Sequence, residues 1–388
     1  RFASSKLANV RVNGLPGRPD EEVPIGTDAV VAGLYGAKVF GDLSVDRQNL
    51  MHATIAGAID AIAKEVVQAG CSSEYASALA GYLAASLAKK LKYSTRGARL
   101  YPHPAAHGNN TVQVDHVFIN ESSVGFNYDF FETGLATGPA TWDSVSGTAT
   151  SLSRICRTQG LPARVERGSA LRSSLPADSL DAVVTDPPYG MYIDYSDSSD
   201  LFYVWLRRAL AGINPDFAMT SHPKGVQEKT EEIITKRHYN NLGDHRTPEF
   251  YKSNIAKAFH ECNRVVHPDG VVSIVFGHGD PEAWRQLLEA ISDAGLVLTG
   301  AWPANTERGG QAGSANIQTT LTLACRPAPA DRPTGRVAEV DAEMRQVIAD
   351  RVRNVWNPAG LSYVDQKMAA SGPALEVVGR YSAVLDKR

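Results

Sequence analysis

Apolar residues recur at helical spacing early in the chain. Leu50, Ile55, Ile59, Ile62 and Val66 predict a helix that Ser44 or Asp46 can cap and that runs to about Ala69. After a break at Gly70–Ser73, a second run from about Glu74 to Lys92 predicts its antiparallel partner. Residues 1–44, rich in Gly and Pro and without a period, read as a loop-rich segment, and 45–100 as a helical hairpin. Residues 101–150 carry Gly, Asn, Thr and aromatics and read as an irregular insertion with short strands.

The pattern then changes to alternation. A helix near 143–158 leads into a short strand, ARVERGSA, and a second strand, LDAVVTDPPY. A helix over roughly 249–266 precedes the strand VVSIVFGHG. The amphipathic helix PEAWRQLLEAISDAG closes on Gly295, and two strands, LVLTGAWP and TTLTLACRP, flank a loop full of Gly, Asn and Gln. Such an order predicts a doubly wound α/β sheet closed by an antiparallel β-hairpin over 151–326. PAPADRPTG, 327–335, reads as a linker, and 336–388 as a helical tail.

Composition narrows the partners. A formal net charge of −3 supplies no bulk attraction for nucleic acid, so any such contact must be local. The one basic run is KKLKYSTRGAR, which holds Lys89, Lys90, Lys92, Arg96 and Arg99 and no acid. Two readings stand: a solvated helix end favoured by the helix dipole, or a DNA phosphate patch. KTEEIITKRH reads as a solvated helix face, although it lies where a DNA-facing loop could insert. Cys71, Cys156, Cys262 and Cys325 are far apart and read as reduced; no metal site is expected. The longest apolar stretch, YASALAGYLAASLA, is too short for a bilayer and no signal peptide is visible, so a cytoplasmic protein without membrane contact is expected.

Candidate chemistry concentrates where the strand LDAVVT runs into Asp186-Pro187-Pro188-Tyr189. Ligands of open parallel sheets sit beyond the carboxyl ends of the strands. Pro187 keeps its predecessor out of the helical region, and neither proline has an N–H. The lip therefore offers a carboxylate and carbonyls, acceptors only, beside the flat ring of Tyr189. Such a set suits an exocyclic amine with two hydrogens to give. Adenine N6 is a poor nucleophile because its lone pair is delocalised; held by Asp186 and the Pro187 carbonyl, it can attack a sulfonium methyl in line. A plain surface turn is the alternative reading.

The tetrapeptide and the longer string VVTDPPYGMYIDYSDSSDLFYVWLRRAL resemble the large adenine-specific DNA methyltransferases with an N-terminal domain of unknown function, often found beside phage-defence genes. LYGAKVFGDLSVDRQNL, EYASALAGYLAASLAKKL, LKYSTRGARL, FNYDFFE, RVVHPDGVVSIVFGHGDPEAWRQLLEAISDAGLVLTGAWP and SGPALEVVGRYSAV extend the likeness over most of the chain. The resemblance implies a Rossmann-like S-adenosylmethionine methyltransferase sheet, partial here, with an N-terminal helical hairpin and a C-terminal helical tail. It implies S-adenosylmethionine as cofactor and N6 methylation of a flipped adenine in DNA, with other subunits of a defence system as possible partners. Ser169 and Ala170 match the positions that meet the cofactor's adenine, with Asp186 at the reacting end. Trp302, before the hairpin loop, matches an aromatic that sandwiches the base against Tyr189; core packing is the alternative.

Two departures stand out. The family's glycine-rich loop after a first strand is missing, and Ser169 stands where relatives carry Asp. With Arg1 in place of an initiator Met, the expectation is that the chain corresponds to the C-terminal part of a longer protein. Phe202, Tyr203 and Trp205 read as core. Asp197 and Asp200 read as caps or target-strand contacts, and His278 as a loop residue or a contact. Methylation of cytosine N4, RNA or a glutamine amide, and a catalytically silent DNA-binding subunit, are the rival functions.

Overall fold

The computed structural model describes residues 2–103, 111–118, 123–132, 154, 160–161, 163–191, 193–219, 224–277, 281–305, 319–358, 360–361 and 363–386. The predicted helix near 143–158, Cys156, His278 and the hairpin loop 306–318 lie outside them, apart from Arg154. The chain divides into two compact units. The first comprises 1–164, 193–232 and 240–242; the second comprises 165–192, 233–239 and 243–388.

Helices organise the first unit. Helix α1 spans Asp46–Gln68, with Gln48 accepting the Val45 N–H at its start; α2 spans Ser73–Leu91, capped by Ser72, whose hydroxyl accepts from Tyr75 N. Neither Ser44 nor Asp46 caps α1, whose N-cap is Val45. The buried face of α1 is not the one its large aliphatics suggest. Ile62 is exposed, whereas Gln48, Asn49, His52, Ala53, Ala56 and Ile59 are buried. Small alanines let neighbouring helices approach, and the polar residues go in with them. A hairpin of β1 (Arg99–His103) and β2 (Thr111–Asp115) follows.

Helix α3, Tyr195–Leu210, packs on α1 and α2. Trp205 and Tyr203 are core residues, as expected, and Trp205 meets His52 edge-on at 5.2 Å. Asp197 and Asp200 neither cap the helix nor face outward. Both are buried and grip the Lys229 ammonium at 2.5 and 2.6 Å. The run KTEEIITKRH is accordingly no solvated helix: Ile233, Ile234, Thr235 and Lys236 are buried in an irregular segment.

Residues 163–168, where the chain passes from the first unit to the second, are irregular and exposed, so ARVERGSA forms no strand; Ser169 bridges only to Arg172. Strand β3 is Leu180–Thr185. Helix α4 (Pro248–Val265) is capped by the Thr247 hydroxyl and leads directly into β4 (Val266–Phe276). Helix α5 (Pro281–Asp293), β5 (Leu296–Asn305) and β6 (Thr319–Pro327) complete a four-stranded mixed sheet in the order β3-β4-β6-β5. β3 runs parallel to β4, and β6 antiparallel to both β4 and β5. The fold is thus mixed α/β.

Alternation sorts the sheet's faces. Val272, Ile274, Phe276, Leu321, Leu323 and Cys325 are buried with Tyr251, Phe259, Trp284 and Leu287 of α4 and α5. The opposite face, carrying Val271, Ser273, Val275, Thr322 and Val184, is more open, and Val184 is 75% exposed. The tail forms α6 (Val337–Arg351), α7 (Tyr363–Ala369) and α8 (Ser371–Gly379). Helix α8 lies so close to β5 that a Cβ on Gly372 would stand 2.3 Å from that of Ala301. The strand pair Thr334–Arg336 and Ala383–Leu385, which clasps the ends of the tail, has no signal in the sequence.

Candidate active site

Strand β3 delivers Asp186 to the carboxyl end of the parallel pair. Asp186 is exposed, Pro187 is buried, and Pro188 and Tyr189 are half-buried, so the prolines anchor the lip while the carboxylate projects. The Tyr189 hydroxyl donates to Asp186 Oδ1 at 2.7 Å. Oδ2 of that carboxylate and the Pro187 carbonyl have no donor among the described residues.

Two further contacts hold the lip from behind. The Tyr251 hydroxyl, from α4, donates to the Pro188 carbonyl at 2.8 Å, and Thr235 N donates to the Gly190 carbonyl at 3.1 Å. Gly190 has φ +64, a conformation that favours glycine and lets the chain turn directly after the tetrapeptide. The edge of the Tyr189 ring meets Phe276 at 4.9 Å, and Phe276 in turn meets Trp284 at 4.8 Å. Ring packing on a core aromatic fixes the orientation of Tyr189. Neither Tyr251 nor Phe276 was legible as part of the site: they are distant in sequence and their residue types are ordinary for a core.

Register places Trp302. Thr185 pairs with Ile274, Ile274 with Leu323 and Leu323 with Ala301. β3 and β5 point the same way, so Asp186 and Trp302 leave one level at the two outer strands. Three interstrand spacings, roughly 14 Å, separate those strands. Trp302 is 53% exposed and is not core; its indole lies over Gly300, where a Cβ would come within 2.6 Å of the ring.

Ser169 is half-buried, and its hydroxyl oxygen accepts from Leu171 N at 3.2 Å; Ala170 is exposed. Nearby, Arg264 holds the Glu261 carboxylate, which also accepts from Ser173 N at 2.6 Å, so its carboxyl is depressed to about 2. Cys262 and Cys325 offer no nucleophile. Burial pushes Cys262 up to about 11 and Cys325 up to about 12. Among the described residues no group of three or more His, Cys, Asp or Glu is disposed to hold a metal ion, and no helix is long and apolar enough to cross a membrane.

The basic run behaves unevenly. Lys90 is fully buried, with burial lowering its ammonium to about 8, so it cannot serve as the surface phosphate contact expected of it. Lys89 is exposed, Lys92 reaches over the Tyr93 ring at 5.7 Å, and Arg99 is tied to Asp115 at 3.0 Å. Arg96 lies half-buried on the rings of Phe126 and Phe130.

No family model matches this chain, and no curated protein matches it. A solved structure from Thermus thermophilus, provisionally assigned as a DNA modification methylase, aligns over 57% of this chain and 86% of its own at 13% identity and a TM-score of 0.24. A likeness that slight decides neither fold nor function.

Proposed function

We propose that the second unit carries the amine-binding face of a Rossmann-like, S-adenosylmethionine-dependent methyltransferase, and that its substrate is the N6 amino group of an adenine in DNA. One observation carries this reading: at a parallel strand's carboxyl end, exposed Asp186 keeps an Oδ2 that no donor among the described residues takes up, directly before two prolines that have no N–H to compete and whose first carbonyl likewise meets no donor among those residues. Two acceptors side by side match an amino group's two hydrogens. The Tyr189 hydroxyl occupies Oδ1 and so aims Oδ2.

The cofactor's adenine would meet Ser169 and Ala170. One hydroxyl and one small, exposed, uncharged residue suit the edge of a neutral heterocycle. When bound, S-adenosylmethionine supplies an electrophilic methyl group. The chain's own part is to hold and orient. Asp186 Oδ2 and the Pro187 carbonyl bind the amine hydrogens, which directs the lone pair out of the ring plane. The Tyr189 face receives the flipped base, and stacking returns roughly 1–3 kcal/mol against a flipping cost of a few kcal/mol. The proton lost from the methylated amine passes to Asp186 Oδ2, which is open to water.

Nucleoside mass spectrometry after incubating the protein with DNA and S-adenosylmethionine tests the proposal. N6-methyladenine that disappears in Asp186→Ala supports it. Methylated cytosine alone, or no methylated nucleoside, overturns it.

A further inference from the structure

Arg96 is a cation without a carboxylate among the described residues. Its neighbours are satisfied: Arg47 pairs with Glu132 and Arg99 with Asp115. The Arg96 guanidinium rests instead on the Phe126 ring, 4.1 Å from its centroid, and 5.8 Å from that of Phe130. Its Nε is buried and unpartnered. Burying a charged donor without a partner is costly, and a ring face offsets that only in part.

The seat itself is rigid. Arg96 N donates to Leu43 O and Arg96 O accepts from Asn127 N, both at 2.8 Å, while Asn127 Nδ2 donates to Gly97 O at 2.8 Å. At Gly97 a Cβ would meet the Gly125 carbonyl at 2.7 Å, so only glycine lets the two segments close. The same Phe126 carries a second group. Tyr35 lies nearly parallel to it, at 17° and 6.1 Å, and is 70% exposed at the end of a short helix closed by Gly36 at φ +87. A planar cation and an open aromatic face are therefore held one ring apart, with exposed Lys89 on α2 in the same unit.

We infer that this face of the first unit binds an unpaired nucleic-acid strand, with Arg96 taking a backbone phosphate and Tyr35 stacking on a base. Alternation of charge and ring is the chemistry of a single strand. A duplex hides its base faces, and an acidic peptide would leave Tyr35 idle. The inference rests on the reading that the substrate is nucleic acid, and it adds a grip on the strand by the helical unit.

Fluorescence anisotropy of the whole chain with a labelled oligodeoxyadenylate, single-stranded or in duplex, over a salt series tests it. Tyr35→Ala should weaken single-strand binding about tenfold and duplex binding far less, and Tyr35→Phe should restore it. Arg96→Gln should lower the slope of log affinity against log salt by about 1. If Arg96→Gln melts early, Arg96→Lys, which keeps the charge, should keep that slope. Wild-type affinity and slope in both folded variants would overturn the proposal. So would loss of poly-glutamate binding alone, which would mark an acidic protein as the ligand. Loss of methylation in Asp186→Ala with these binding shifts absent removes this inference only; the binding shifts without any methylation remove the proposed function only.

Discussion

The phenolic oxygen of Tyr189 sits 2.7 Å from Oδ1 of Asp186. A ring expected to act by stacking alone thus also restrains the carboxylate three residues before it, and the two roles can be separated.

Tyr189→Phe keeps the ring and releases the carboxylate. Methyl transfer should fall about tenfold, the effect of losing one charge-assisted hydrogen bond at a partly exposed site. Tyr189→Ala loses the stacking face too and should fall at least a further tenfold. Single-turnover rates for the two variants decide it. Equal rates for Phe and wild type would mean that the hydrogen bond does not position Asp186.

Asp186→Ala should lower turnover on the order of 10²–10³-fold, the usual loss for one preorganised polar contact. DNA affinity should hardly change, because phosphates supply most of that energy. Paired rate and binding measurements check both halves.

The helical unit should weaken in acid through His52. Burial first, and the Lys90 charge second, hold its imidazole down at about 3. Its folded value lies below its unfolded one, so the unfolded chain takes up the proton first. Stability should be full above the ordinary imidazole range and fall as pH drops towards about 3. The loss is of order 3–5 kcal/mol for the whole shift. Thermal melts from neutral to acid should show it, and His52→Leu should flatten the slope.

Lys229 carries the opposite sign. Burial alone would lower its ammonium, yet Asp197 and Asp200 outweigh burial and raise it. Its contribution is therefore complete below the ordinary lysine range and lost only as pH rises through the raised value. Lys229→Met takes the ammonium away from two buried carboxylates and should cost about 3–5 kcal/mol. Denaturant midpoints measure this, and the double change of Asp197 and Asp200 to Asn should recover part of it.

Much of this architecture was legible where the apolar period is clear. The apolar periods behind α1, α2 and α5 marked helices and the apolar run before Asp186 marked its strand, whereas the cap at Val45 replaced the Ser44 or Asp46 that the residue types suggested. What escaped was decided by partners far along the chain. Lys90 looks like a surface cation because charged residues seldom go inside, and nothing local announces its burial. Ile233-Ile234 sits inside a charged run that reads as solvated, while the acids that take up Lys229 lie on another element. ARVERGSA has strand composition, yet a strand needs a neighbour, and Val165 faces solvent. At the lip the residue types were readable, but the hydroxyl contacts of Tyr189 and Tyr251 were not.

The parallel pairing of β3 with β4 also sets a folding order. Thr185 meets Ile274 roughly 90 residues further on, and between them the chain leaves the second unit at 192, builds α3 in the first, and returns at 233. Closing so long a loop delays the pair, whereas the β5–β6 hairpin and the α1–α2 hairpin close locally. On the ribosome, β3 emerges well before the strand that completes it. The strand that presents the candidate catalytic carboxylate is therefore expected to be among the last to gain amide protection.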